Sequence, residues 1–374
     1  MEFAMLNAVW AGAAVKPFPP IANALPANMP FDGVDALGVN VAINPLPYQQ
    51  VTVAPTSFLW DAITVGYCSV PAIAMLPGLP SPALAKELRR TAAARANYLA
   101  AAFVLPWTTV GPRRRPSYQF IEATEKVVLS FLLGQAIALR QAKLIWGPMY
   151  GVRRLYHRSL YSGIPGLPIT SGPSPDYVCE ASVVGVRSLG VVEAKGRGRL
   201  FDPNVTQNDR DQLNSWFLQW NGIGLTPSIG AVSLAATGSP FGIEQIVGQF
   251  WDPPFNRAWE MPSEVGDALL ARYFLRLRAF LAAFGEPRRR AGMRGPQRIT
   301  WNCEEIGFSV GMSEKQYNAL EELALEPRGE AKFRLFLQGQ RIGADTQVGL
   351  GRPTVRNSDG LYLTSLNTDI GEQD

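Results

Sequence analysis

Three residues near the middle of the chain have types and spacing that can do chemistry: Asp176, Glu193 and Lys195. Asp176 follows Pro175, and Glu193 and Lys195 flank Ala194. Between them lies a largely apolar run, Val178 to Val192, broken near its midpoint by Gly185. Such a run folded about a glycine predicts a β-hairpin. Opposed residues in an antiparallel pair have a constant sum of residue numbers, so a turn near Gly185 sets Asp176 beside Glu193. Side chains alternate along a strand, which puts Glu193 and Lys195 on one face and Ala194 on the other. Asp176 shares the Glu193 face in this register, and a slip of one residue would turn it away.

Two carboxylates with no histidine close in sequence are hard oxygen donors, suited to Mg²⁺ with Mn²⁺ as a substitute. The backbone carbonyl of Ala194 offers a further oxygen. A cation held there would polarise a phosphodiester, neutralise charge in the transition state and lower the pKa of a bound water. Lys195 would hold the attacking water or the pentavalent phosphate by its charge. Arginine far outnumbers lysine in this chain, so a lysine at this position is the more informative.

The surrounding elements must bring these groups together. Gln119 to Lys143 has helical spacing, with Val128, Leu129, Leu132 and Leu133, then Ala136 and Ile137. A strand is predicted over Val152 to Leu160, then a Gly/Pro/Ser loop from Ser162 to Pro175 and the hairpin itself. After the Gly196–Asn204 loop, Leu213, Trp216, Phe217 and Trp220 predict a helix over Thr206 to Trp220. Ile229 to Ala236 alternates as a strand. The order is helix, strand, strand, strand, helix, strand, an α/β arrangement.

Pro175-Asp176, a spacer, then Glu193-Ala194-Lys195 resembles the signature of the PD-(D/E)XK nuclease superfamily. The resemblance covers roughly Gln119 to Thr237. It implies a restriction-endonuclease-like core (αβββαβ, a mixed central sheet flanked by helices) and a Mg²⁺-dependent deoxyribonuclease. Asp176 and Glu193 would be metal ligands, and Lys195 would activate water or stabilise the transition state. Many members carry a glutamate on the first core helix that completes the metal site. Glu125 lies in line with Val128, Leu129 and Leu132, whereas Glu122 falls further round. Some exonuclease-type members carry Gln-x-x-x-Tyr on the helix after the lysine. Gln212-Leu213-Asn214-Ser215-Trp216 is similar, with Trp in place of Tyr. Superfamily members commonly serve restriction, phage defence or repair. The rival expectation is a relative that no longer cuts and uses the same core to bind nucleic acid or a protein.

The rest of the chain sets bounds. Its 374 residues, 47% hydrophobic and 18% charged, describe a globular protein rather than a disordered one. The division expected is a Pro/Ala-rich accessory region over 1–116, the nuclease-like core over 117–260 and an accessory α+β region over 261–374. Ser81 to Leu99 predicts a helix opened by Ser81-Pro82, and Val265 to Phe284 an amphipathic one. Gly111 to Pro116 is a boundary, and Arg288-Arg289-Arg290 falls in a Gly/Pro-containing basic linker. A net charge of +4 is compatible with DNA, with RNA left open as a partner. Self-association as a homodimer is a further expectation.

Several chemistries are excluded or disfavoured. His157 is the single histidine, which rules out an HNH nuclease and leaves a Ser-His-Asp triad only through that residue. No G-x-x-x-x-G-K-[ST] loop exists, so translocation or sensing would come from a partner ATPase or sensor protein. Cys68, Cys179 and Cys303 are scattered and form no disulfide or zinc pattern, which fits a reducing, cytoplasmic setting. The start Met1-Glu2-Phe3-Ala4-Met5 lacks the basic opening of a signal peptide. Ala62 to Pro80 is uncharged but interrupted by Gly66, Pro71, Pro77 and Gly78, so it is expected to be a buried segment and not a membrane span.

Overall fold

The computed structural model describes residues 79–104, 121–161, 174–197, 228–236, 260–290, 297–326, 329–339, 354–357 and 359–366, with shorter pieces between and before them. Among the described residues, a seven-stranded mixed sheet holds the middle of the chain. Its strands are β1 (Ala14–Pro17), β2 (Val51–Thr52), β3 (Tyr156–His157), β4 (Tyr177–Val183), β5 (Val186–Arg197), β6 (Ile229–Ala236) and β7 (Val247–Trp251). The spatial order is β2-β1-β7-β6-β5-β4-β3. Strands β5 and β6 run parallel, as do β1 and β7; the other neighbours are antiparallel.

The β4–β5 hairpin forms in the expected register. Val183 pairs with Val186 and Tyr177 with Val192, so the two-residue turn is Val184-Gly185. Both turn residues have positive φ, 51° and 79°, the backbone that a tight hairpin demands. Glycine adopts it freely, whereas a β-branched valine is strained there. Central strands covered on both faces need apolar side chains on both, and β4 and β5 supply them. Val178, Leu189 and Val191 lie in one buried cluster with Leu213, Val265 and Leu269. Tyr177, Cys179, Val192 and Ala194 lie in another, on the opposite face, with Ala138, Leu139, Ala142 and Trp146.

That second face is covered by helix α3 (Ala123–Gln141), which continues through a π turn, Ala142–Trp146, into Gly147–Tyr150. The stretch Ala123–Tyr150 is long and apolar enough to cross a membrane, but 72% of its most apolar window is buried, as in a core helix. Helix and sheet approach closely beside the lysine. A Cβ on Gly196 would stand 1.7 Å from the Ser130 carbonyl oxygen, and one on Gly134 would stand 2.8 Å from the Gly196 nitrogen. Glycine at both positions lets the helix backbone rest on the strand immediately after Lys195.

Two further helices, α1 (Pro55–Thr64) and α2 (Pro82–Ala102), precede α3, and the Ser81 hydroxyl accepts the Leu84 amide at the start of α2. Helix α4 (Ser263–Ala282) closes the other face of the sheet through Val265 and Leu269. The same helix sends Phe274 and Phe280 into a third cluster with a six-stranded antiparallel sheet. That sheet consists of β8 (Arg288–Arg290), β9 (Arg298–Cys303), β10 (Phe308–Ser313), β11 (Thr346–Gln347), β12 (Thr354–Arg356) and β13 (Tyr362–Ser365). Helices α5 (Glu314–Leu325) and α6 (Glu330–Gly339) complete this region.

Three expectations are corrected. The predicted strand over Val152 to Leu160 shortens to Tyr156–His157, because Arg158–Tyr161 turns helical and buries Leu160 and Tyr161. Arg288–Arg290 is a strand, not a linker: Arg288, Arg289 and Arg290 pair with Thr300, Ile299 and Arg298. Within the expected boundary Gly111–Pro116, Arg113 and Arg114 pair with Val104 and Phe103. Of the helix predicted over Thr206 to Trp220, Asp209, Gln212 and Leu213 are helical, and the remainder, including Trp216, lies outside the described residues. Cys68 and most of Ala62 to Pro80 also lie outside them.

Gly196→Ala should lower stability by about 3 kcal/mol, since its Cβ meets backbone that cannot give way. Val184→Asn should raise stability by about 1 kcal/mol by relieving the left-handed backbone. Urea midpoints of the two variants decide; an unchanged midpoint for Gly196→Ala would refute the close helix–strand contact.

Candidate metal and phosphodiester site

The hairpin register carries Asp176 to Glu193, and the contacts follow from it. One carboxylate oxygen of Asp176, Oδ2, accepts the Ala194 amide at 3.0 Å. The Asp176 amide in turn donates to Glu193 Oε2 at 3.3 Å. Lys195 Nζ donates to Glu193 Oε1 at 2.5 Å and to Gln212 Oε1 at 2.8 Å. Asp176, Glu193, Lys195 and Gln212 are therefore joined in one hydrogen-bonded group. They lie on the face covered by α4, while the Ala194 side chain packs on the α3 side.

Burial sets the electrostatics. Glu193 is 1% exposed, whereas Asp176, Lys195 and Gln212 are half-buried and open the group toward solvent. Burial, and then the neighbouring Asp176 charge, push the Glu193 carboxyl up to about 8, against a smaller opposing pull from Lys195. Burial also raises Asp176, opposed by the Ala194 amide, by a hydrogen bond with the Glu193 carboxyl and by the charges of Lys195 and Arg158. Two carboxyls in direct contact titrate as a pair and resist carrying two negative charges together. A group in this state gains from any additional positive charge.

Pro175 and Asp176 are themselves held in place. The Tyr161 hydroxyl donates to the Pro175 carbonyl at 2.5 Å, and the Arg158 amide donates to the Asp176 carbonyl at 3.0 Å. Burial raises the Tyr161 hydroxyl far above its ordinary value, so it stays protonated and remains a donor. Neither Tyr161 nor Arg158 is legible in the sequence as a site residue. Their roles arise from the helical turn Arg158–Tyr161, which replaces part of the predicted strand.

Glu125 has a different task. It is the third residue of α3, and its Oε2 accepts the Glu122 amide at 3.1 Å, while the Glu122 side chain accepts the Glu125 amide. This reciprocal cap satisfies donors at the helix start. Among the described residues no three His, Cys, Asp or Glu side chains group to hold a metal ion, so Glu125 is not gathered to Asp176 and Glu193. The spacing Glu122-x-x-Glu125 was the available signal for a cap. His157, the histidine that a triad would need, accepts the Ser159 amide at Nδ1 and is pushed down to about 4 by burial and by Arg276, Arg95 and Arg158. It is a neutral strand residue packed edge-on against Tyr177.

The raised Glu193 value makes stability depend on pH in a defined direction. The folded chain holds this proton more tightly than the unfolded chain does, so the contribution is whole below about pH 4.5 and is lost as pH rises through about 8. Glu193→Gln removes that loss. At pH 9 the variant should exceed the wild type by on the order of 2 kcal/mol, from about 1.4 kcal/mol per pKa unit discounted for coupling. Parallel stability–pH curves for the two proteins, from urea midpoints between pH 4 and 9, would contradict a buried, resisted charge.

No protein-family model, no curated protein and no solved structure matches this chain.

Proposed function

We propose that the chain is a Mg²⁺-dependent nuclease that hydrolyses phosphodiester bonds in DNA, with Asp176, Glu193 and Lys195 at its centre. One observation carries the reading: two carboxyls 17 residues apart in sequence, and an amine 2 residues beyond the second, converge on one sheet face. The element order around them, helix α3, strands β3, β4 and β5, helical residues at Gln212 and Leu213, then β6, supports the restriction-endonuclease-like core that the Pro175-Asp176 and Glu193-Ala194-Lys195 resemblance implies.

The donor set fits a hard divalent cation. It offers carboxylate oxygens from Asp176 and Glu193, with the Ala194 carbonyl as a further oxygen; burial raises both acids, and the Asp176 charge raises Glu193 further. When bound, Mg²⁺ supplies charge neutralisation at the phosphodiester. The protein's own groups do the rest. Lys195 stands at the solvent side of the group and brings positive charge to the phosphate or to the water that attacks it. Gln212 holds the lysine amine from the far side and fixes its direction. The Ala194 amide orients Asp176, and Tyr161 anchors the backbone that carries it.

A second reading rests on Glu125. With that residue engaged as a helix cap, the carboxylate set is two, which suits a relative that binds nucleic acid or a protein without cutting. A role in restriction, phage defence or repair belongs with the first reading.

Purified protein incubated with plasmid DNA and Mg²⁺ should cut it, and chelation should stop the cutting. Asp176→Ala and Lys195→Ala should each lower the rate roughly 10²-fold or more, the scale of a lost charge or proton-transfer group in a transition state. Gel densitometry over a time course reads the rates. No cutting by the wild type favours the binding-only reading, and cutting undiminished in both variants would remove these residues from the chemistry.

A further inference from the structure

At the turn end of the hairpin, away from Asp176 and Glu193, a cavity of about 360 Å³ lies between β4, β5, the Tyr150–Arg154 segment and helix α6. Glu180, on its wall, is four residues along β4 from Asp176, which is about 13 Å at the rise of a strand. Four arginines line the cavity, Arg153, Arg154, Arg187 and Arg334, with Glu180 as the carboxylate among its lining residues.

The acids in reach are already shared. Glu180 accepts Arg187 Nε at 2.9 Å and Arg334 Nη1 at 2.7 Å. Asp267 accepts Arg187 Nη2 at 3.3 Å and Arg334 Nε. Asp359 accepts Arg154 Nε at 2.7 Å. Three carboxylates thus stand against four guanidinium groups, and the surplus charge belongs to Arg153, which is exposed and has no ion-pair partner among the described residues. Arg334 adds a second observation: its Nη2 is buried and, among the described residues, has no hydrogen-bond partner. A buried donor without an acceptor is costly, and the planar guanidinium fork matches a phosphate better than any other anion-binding side chain. Tyr150, Leu270 and Leu337 give the same cavity an organic wall.

We propose that this cavity binds a small phosphate-bearing organic molecule of mononucleotide size, its phosphate between Arg153 and Arg334 and its organic part against Tyr150 and Leu337. The volume falls within the range of small-molecule sites. Free nucleotides and a phosphate of a nucleic-acid strand share this chemistry. The cavity's volume, about 360 Å³, matches one nucleotide rather than a run of strand and favours the free molecule. The inference stands apart from the nuclease reading, because none of these residues belongs to the Asp176 group. Occupancy would tie α6 to the hairpin whose far end carries that group.

Calorimetric titration of the whole protein with adenosine 5′-monophosphate, inorganic phosphate and adenosine tests it without reference to cleavage. Adenosine monophosphate should bind saturably, and adenosine at least roughly tenfold more weakly, the worth of one charge-assisted hydrogen bond. Arg153→Ala touches no ion pair and should weaken adenosine monophosphate by roughly tenfold with an unchanged melting temperature. Arg334→Lys keeps a charge beside Glu180 but removes Nη2, and should weaken it as well. Absence of saturable binding, binding of adenosine equal to that of its monophosphate, or undiminished binding in both variants would overturn the proposal. Displacement of the monophosphate by a short single-stranded DNA would overturn the assignment to a small molecule.

Discussion

The structure of the site depends on one constraint, the pairing register of the β4–β5 hairpin. Because Val183 meets Val186, Asp176 must meet Glu193, and the apolar side chains between them must divide between two buried faces. A slip of one residue would move Leu189, Val191 and Val178 out of one cluster and Tyr177, Cys179 and Val192 out of the other. Each of these is a fully covered side chain worth about 1.5–3 kcal/mol on burial. Core packing therefore enforces a contact that is unfavourable in itself, two carboxyls side by side away from water. The fold tolerates the pair because Lys195, the Ala194 amide and Gln212 partly offset it.

Position along the sheet explains why the group remains accessible. Strand β5 ends just beyond Lys195, where Gly196 lets the α3 backbone rest directly on the strand. Helix α3 thus packs over the Ala194 side, while the apolar cluster beneath α4 lies on the carboxylate side. Glu193 is sealed and Lys195 is partly wet. A buried acid with a raised value beside a partly wet amine is a pattern that functional sites share with structural ion-pair networks. Helix α4 also packs against the six-stranded sheet, so the C-terminal region shares the core of the site sheet through one continuous helix.

Much of this was legible in the residues. The break at Gly185 within an apolar run specified the hairpin, and constant-sum pairing specified which acid met which. Ile229–Ala236 was legible to the residue, because alternation and small side chains suit an interior strand. What was hidden has physical causes. Glu125 shares its helix face with apolar residues and looks like an inward acid, yet at the third position of a helix the nearer attraction is the open amides of the first turn. Val152 to Leu160 has the composition of a strand, but the helical turn Arg158–Tyr161 buries Leu160 and brings the Tyr161 hydroxyl to the Pro175 carbonyl. The three arginines at 288–290 look solvated because charge runs usually are; an edge strand accepts them, since its outer side faces water. The close approach at glycines 134 and 196 was not read from the residues: Gly196 was expected to open a loop, yet it lies in β5, and periodicity does not capture backbone contact.

Crystals soaked in Mn²⁺ and read by anomalous diffraction should show a peak between Asp176 and Glu193, about 2.0–2.5 Å from an oxygen of each carboxylate, with Lys195 turned from Glu193 toward the open side. A soaked crystal with no ion at these two carboxylates, or with manganese held elsewhere while Lys195 stays on Glu193, would contradict this placement.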